Sequence, residues 1–309
     1  MEADEYKAHV ELMLNVLPFI GRYPCFALKG GTAINFFLRD MPRYSIDIDL
    51  TYLSSNDRSA ALSEIGRTLK QIAAAVKEHI PGVNVIASGD AGGKLPSKLR
   101  IDRGIARVKI EPNLTLRGTV YDCEISNLCE KAQAQFLQRL SVLTLSLADL
   151  YGGKLCAALD RQHPRDLFDV KLLFKNEGLT DEVRMAFVVY LASSDRPMRE
   201  LLQPSRLDIR QIYETDFRGM TTEEVGYDEL INVRETLIAE INRTLTSGER
   251  NFLLSLKEGK PSWDLFDLPH IKDLPAIRWK LLNIQKMEAQ KRAEAVKQLE
   301  RVLYPSQAV

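Results

Sequence analysis

Apolar positions recur at two different periods along this chain, and the change from one to the other divides it. Between residues 5 and 20, Val10, Leu12, Met13, Leu14, Val16 and Leu17 follow helical spacing and predict an amphipathic helix. Cys25 to Leu28 is a short apolar run leading into Gly30-Gly31, the pattern of a buried strand entering a turn. Thr32 can cap a helix over Ala33 to Arg39. Pro42 ends that helix, because it pushes its predecessor out of the helical region. Ile46, Ile48 and Leu50 then alternate with Asp47, Asp49 and Thr51, which predicts a strand with one apolar and one polar face.

Asp57 to His79 returns to helical spacing through Leu62, Ile65, Leu69, Ile72, Ala73 and Val76, and reads as a crossover helix. Val83 to Ala87 predicts a short strand and Gly89 to Gly93 a flexible turn. Leu99–Asp102 and Ile105–Glu111 predict a hairpin around Arg103-Gly104, and Thr119 to Ile125 a further strand. From Glu130 onward helical periods dominate, over 145–159, 165–174, 182–191, 207–213, 227–246, 249–256 and 275–303. The fold class is therefore α+β: a mixed α/β domain over residues 1–130 and an all-helical domain over 131–309.

Composition narrows the class further. Lys plus Arg and Asp plus Glu are 42 each in 309 residues, which argues against a dedicated non-specific nucleic-acid binder. It leaves room for a local basic surface, and the stretch 275–303 carries Arg278, Lys280, Lys286, Lys291, Arg292, Lys297 and Arg301. Such a stretch is a solvated helix face or a surface for phosphates. No apolar run is long enough for a membrane span, and the N-terminus lacks a signal-peptide layout. The four cysteines show no zinc-ligand spacing and read as reduced thiols of a cytoplasmic protein.

The chemistry concentrates in two places. Asp47 and Asp49 alternate on a strand, so their carboxylates share a face roughly 6.5 Å apart along the backbone. Mg²⁺ is bound through one or two carboxylates plus substrate phosphates, and D-x-D supplies the carboxylates. Solvated acids on an edge strand would give the same pattern. The preceding turn points to the partner anion. Gly30 and Gly31 let backbone approach a phosphate closely, the amides of the next helix are donors, and Lys29 adds charge. An NTP with Mg²⁺ needs both receptors. Ser45 lies on the acidic face, and Glu111, at the end of an alternating strand, is the candidate third carboxylate.

The second place opens the helical half. Lys154 and Arg161 are two helical turns apart, and Arg165, Asp166 and Asp169 follow Pro164 at a helix start. Arg165 and Asp169 are spaced to pair on their own helix. The cluster is either an ion-pair network pinning a helical hairpin or part of a functional site.

The two places together, Leu28-Lys-Gly-Gly-Thr-Ala33 with Arg43-Tyr-Ser-Ile-Asp-Ile-Asp-Leu50, and Lys154 to Asp169, resemble the nucleotidyltransferase toxins of the AbiEii/AbiGii type, which include the MenT toxins. The segment Phe252 to Ile284 shares the likeness. The resemblance implies a DNA-polymerase-beta-like nucleotidyltransferase sheet with a helical C-terminal domain. It implies transfer of a nucleoside monophosphate from an NTP with release of pyrophosphate. Some relatives add nucleotides to the 3′ end of tRNA and so block translation. A cognate antitoxin is implied as partner. By position, Gly30, Gly31 and Thr32 match the family's turn, and Asp47 and Asp49 its metal pair. Ser45 matches a serine that is phosphorylated in some relatives. Lys154 and Asp166 or Asp169 match the second-domain motifs.

The expected mechanism has Lys29, the turn, Ser45, Arg161 and Arg165 at the nucleotide, and Asp47, Asp49 and Glu111 at the metal. Lys154 stabilises the leaving pyrophosphate, with Asp166 and Asp169 beside it. A protein hydroxyl as acceptor and a non-catalytic partner-binding module are the other readings. The intact D-x-D pair with Lys154 speaks against the second.

Overall fold

The computed structural model describes residues 3–89 and 95–305. The turn predicted at 89–93 lies outside the described residues apart from Gly89. The chain forms two compact units, one of residues 1–150 with 218–224, the other of residues 151–217 with 225–309.

The first unit is built on a mixed sheet of seven strands in the order β3-β4-β5-β2-β1-β7-β6. The strands are β1 (Phe26–Lys29), β2 (Ile48–Tyr52), β3 (Asn84–Ser88), β4 (Lys98–Arg103), β5 (Ala106–Asn113), β6 (Glu124–Asn127) and β7 (Ser141–Thr144). β1 pairs antiparallel with β2 and parallel with β7, and β2 pairs parallel with β5. The sheet's two innermost carriers of chemistry, β1 and β2, are thus held from both sides.

Helix α1 (Ala3–Ile20) packs on β5, β7 and a later helix, α3. It is buried on most of its circumference: Val10, Leu12, Met13, Leu14, Val16 and Leu17 are at most 1 % exposed, and the stripe Lys7, Glu11 and Pro18 faces solvent. Such breadth marks a helix enclosed within the unit more than one lying on its surface. β1 runs straight into α2 (Gly30–Ala33), which continues as a π turn over Ile34–Leu38. α3 (Arg58–His79) starts at Asp57, whose carboxylate accepts from Ala60 N at 3.0 Å. It buries Ala61, Ile65, Leu69, Ile72 and Val76 along one face, each aliphatic side chain contributing about 1.5–3 kcal/mol.

The second unit is helical. It holds most of α5 (Leu147–Arg161), which follows the short α4 (Glu130–Phe136) of the first unit. Then come α6 (Pro164–Asn176), α7 (Asp181–Ser193), α8 (Met198–Leu202), α9 (Arg210–Ile212), α10 (Tyr227–Thr244), α11 (Ser247–Glu258), α12 (Pro275–Lys286) and α13 (Ala289–Leu303). A reciprocal Thr246–Glu249 capping box starts α11, and Gly259 at φ +84° ends it.

Four expectations from the sequence need correction. Thr32 does not cap a helix: the helix begins at Gly30, and the Thr32 hydroxyl donates to the Asp47 carbonyl at 2.5 Å. β2 starts at Ile48, so Ile46 and Asp47 precede the strand. Residues 119–123 are not a strand, because the Asp149 carboxylate takes Val120 N at 2.9 Å and Tyr121 N at 2.8 Å, leaving those amides unavailable to a ladder. The strands there are β6 and β7, and β7's four residues Ser-Val-Leu-Thr are too short to show a period. Finally, 275–303 is two helices. α12 packs on α7 and α11 while α13 packs on α11 and α8, and one straight helix cannot serve both sets of neighbours.

Candidate active site

Backbone geometry makes the first cluster. Lys29 is extended at φ −137° and Gly30 takes φ +73°, so the chain leaves β1 and enters α2 without a loop. Cross-strand register sets Lys29 opposite Asp49, and Asp49 beside Glu111 on β5. Ile48, Leu50 and Tyr52 are fully buried beneath, while Asp47 and Asp49 stay partly exposed. The two glycines touch different groups. A Cβ on Gly30 would stand 2.5 Å from Asp49 Oδ2; one on Gly31 would stand 2.7 Å from an Arg43 Nη2 and 2.9 Å from Ser45 Oγ. Thr32 Oγ1 lies 3.1 Å from Ser45 Oγ and so bonds the turn to the acidic segment twice.

Arg43 is the residue that sequence reasoning left without a role. It is 3 % exposed, and its Nη1 donates to the Tyr44 carbonyl at 2.9 Å. Its position two residues before Ser45 was the available signal. The segment 218–224 fixes its backbone: Arg43 bridges Thr221, Tyr44 N donates to Met220 O at 3.1 Å, and Thr222 N donates to Pro42 O at 2.9 Å.

Gly30→Ala should destabilise the first unit by about 1–2 kcal/mol from the left-handed backbone alone. The clash with Asp49 adds to that loss. Denaturant unfolding measures it, and an unchanged midpoint would show that the turn relaxes freely.

The donor set suits a hard cation. Asp49 offers a carboxylate oxygen next to Gly30, and Asp47 supplies a second carboxylate two residues earlier; Mg²⁺ is held by one or two carboxylates when substrate phosphates complete its shell. Among the described residues no group of three or more His, Cys, Asp or Glu side chains is placed to hold a metal by itself. Glu111 shares the register of Asp49, and its carboxylate is 3.9 Å from Lys98 Nζ.

The second cluster lies within the helical unit and is an ion-pair lattice. Lys154 Nζ on α5 is 2.9 Å from Asp166 Oδ1 and 2.9 Å from Asp169 Oδ2 on α6. The three side chains are 7 %, 1 % and 0 % exposed. Arg161 binds Asp166 through Nε at 2.5 Å and Nη2 at 3.0 Å. Burial alone would raise the Asp166 carboxyl, but Lys154 and then Arg161 overcome it and hold it well below the usual range. Asp169 pairs with Lys154, and Arg165 turns to His163 instead, its Nη2 3.5 Å from the ring Nε2.

His163 caps α6, its Nδ1 accepting from Arg165 N at 3.2 Å, which fixes that nitrogen unprotonated. Burial, then Arg165, lower its pKa to about 4, with Arg161 adding and Asp166 and Asp216 opposing. The unfolded histidine titrates near about 6.5. The unfolded chain therefore binds the extra proton first, and the contribution present above pH 6.5 is lost as pH falls towards 4. His163→Gln should flatten the stability–pH curve across that window; an unchanged slope in denaturant titrations would show that other groups set it.

A glycine turn joins β1 to α2, and the D-x-D segment leads into the antiparallel neighbour β2, within a seven-stranded mixed sheet. The family model described as nucleotidyl transferase AbiEii toxin, type IV toxin–antitoxin system, matches residues 12–281, and the chain belongs to that family. It is accordingly a nucleotidyltransferase toxin, with an NTP as substrate and an antitoxin as partner. Among solved structures, MenT4, a nucleotidyltransferase toxin from Mycobacterium tuberculosis H37Rv, aligns with a TM-score of 0.59 at 16% identity, over 91% of this chain and 94% of that one. That likeness is one of fold. Comparison with the curated proteins finds no match. Among the described residues no helix is long and apolar enough to cross a membrane.

Proposed function

We propose that this protein transfers a nucleoside monophosphate from an NTP to the 3′ end of an RNA, with tRNA as the acceptor, in a Mg²⁺-dependent reaction. One observation carries the reading: the two adjacent glycines admit Asp49 on one side and Arg43 with Ser45 on the other, so cation and anion receptors meet on a single turn. When bound, Mg²⁺ supplies charge to the phosphates and lowers the barrier to displacement. The chain's own groups do the positioning. The Gly30-Gly31-Thr32 turn and Lys29 hold the triphosphate, Asp47 and Asp49 hold the cation, and Glu111 orients the acceptor hydroxyl and takes its proton. In the helical unit, Lys154, Asp166, Asp169 and Arg161 fix α5 to α6 and hold the Lys154 ammonium in one position. Arg165 and His163 secure the start of α6. The RNA acceptor is favoured by the family's toxin character and by the basic side chains of α12 and α13.

The test is incubation of the pure protein with Mg²⁺, each α-labelled NTP in turn and total RNA. Label on RNA 3′ ends is the expected result. Label on protein alone would replace the acceptor by a protein hydroxyl, and no label on any macromolecule would overturn the reading.

A further inference from the structure

The turn has a polarity that assigns a role to Arg43. Gly30 faces Asp49 and Gly31 faces Arg43 and Ser45, so the cation receptor and a guanidinium stand at successive residues. The reacting α-phosphorus must lie on the cation side, because charge develops there as the acceptor attacks. The remaining two phosphates then extend along the turn towards Gly31. In the transfer itself, the acceptor oxygen forms a bond to the α-phosphorus. The bond from that phosphorus to the bridging oxygen breaks, and its electron pair leaves with pyrophosphate. The new negative charge thus falls on the Gly31 side.

We infer that Arg43 is the receptor for the leaving pyrophosphate, holding the β- and γ-phosphates through its guanidinium over Gly31. The inference rests on the reading of the turn as the triphosphate site. Three features fit the role. A guanidinium offers a planar fork of donors matched to phosphate oxygens and stays charged when buried. Arg43 is almost wholly buried, so its interaction with an anion is little screened. Its backbone is held on both sides by segment 218–224 and its Nη1 by the Tyr44 carbonyl, so it is in place before the nucleotide arrives.

The experiment is titration of pyrophosphate and of the nucleoside monophosphate, separately, into wild type, Arg43→Lys and Gly31→Ala, with Mg²⁺ present. The lysine keeps the charge and loses the fork. The alanine keeps Arg43 and displaces its guanidinium by the methyl group that Gly31 lacks. A charge-assisted hydrogen bond corresponds to about tenfold or more in affinity. Where the variants retain the wild-type fold, pyrophosphate should bind about tenfold more weakly to both, and monophosphate affinity should be unchanged in Arg43→Lys. Equal losses for both ligands in Arg43→Lys would assign Arg43 a structural role only and overturn the inference, as would unchanged pyrophosphate affinity in either variant. Failure of wild type to bind either ligand would instead overturn the placement of the triphosphate at this turn. Should both variants unfold, the side-chain ¹⁵N–¹H NMR signal of Arg43 in wild type decides: a shift on adding pyrophosphate but not monophosphate supports the contact, and an unchanged signal refutes it.

Discussion

Asp49→Asn should lower nucleotide transfer by about 10³-fold or more and leave thermal stability close to that of wild type. The substitution keeps the shape and removes the charge that, on the proposed function, holds a divalent cation against the phosphates. Cation stabilisation of the transition state is worth several kcal/mol, and about 4 kcal/mol is a factor of 10³. Stability should move little because Asp49 is partly exposed and sits on the polar face of β2, above a layer that stays packed. Asp47→Asn should behave alike, since its carbonyl, which anchors Thr32, is untouched. Transfer at the wild-type rate in either variant would remove the pair from the chemistry. A large fall in melting temperature would make them structural.

Lys154→Met should cost about 3–5 kcal/mol of stability, because it removes the cation that two buried carboxylates share. In a domain of this size that lowers the melting temperature by on the order of 10 °C. Asp166 keeps Arg161, whereas Asp169 loses the ion pair that holds it at 0 % exposure. Adding Asp169→Asn to Lys154→Met should recover part of the loss, since an amide costs less to bury than a charge. If Lys154→Met melts like wild type while transfer is lost, the ammonium acts on the substrate and its pairing contributes little to the fold. If the double variant recovers stability without recovering transfer, both roles hold together.

Much of the fold was legible because long periodic segments write themselves plainly. α1, α3 and α5 to α7 fall within a few residues of where apolar spacing places them. The hairpin at Arg103-Gly104 was legible from alternation, and Gly104 takes φ +58° as such a turn requires. β6 and β7 were not, since each has four residues; they pair with each other, and the strand that ties β7 into the sheet is β1, far away in sequence. The break at 287–288 was hidden for a similar reason: no Pro or Gly marks it, and only the separate packing of α12 and α13 explains it. Within the candidate site, the acids and glycines could be read as residue types. What could not be read is that Gly30 faces Asp49 and Gly31 faces Arg43, because that follows from the antiparallel register of β1 on β2. Arg43 was left without a role because its spacing from Ser45 does not say that its side chain packs against Gly31.

If one turn and one D-x-D segment together receive a metal-bound triphosphate, NTP affinity must depend on both the cation and the two carboxylates. Calorimetric titration of an NTP into wild type, with Mg²⁺ and then with chelator, and into Asp47→Asn/Asp49→Asn with Mg²⁺, tests it directly. Wild type should bind in Mg²⁺, with a loss of at least about tenfold both on chelation and in the double variant. Equal NTP affinity in all three titrations would contradict it.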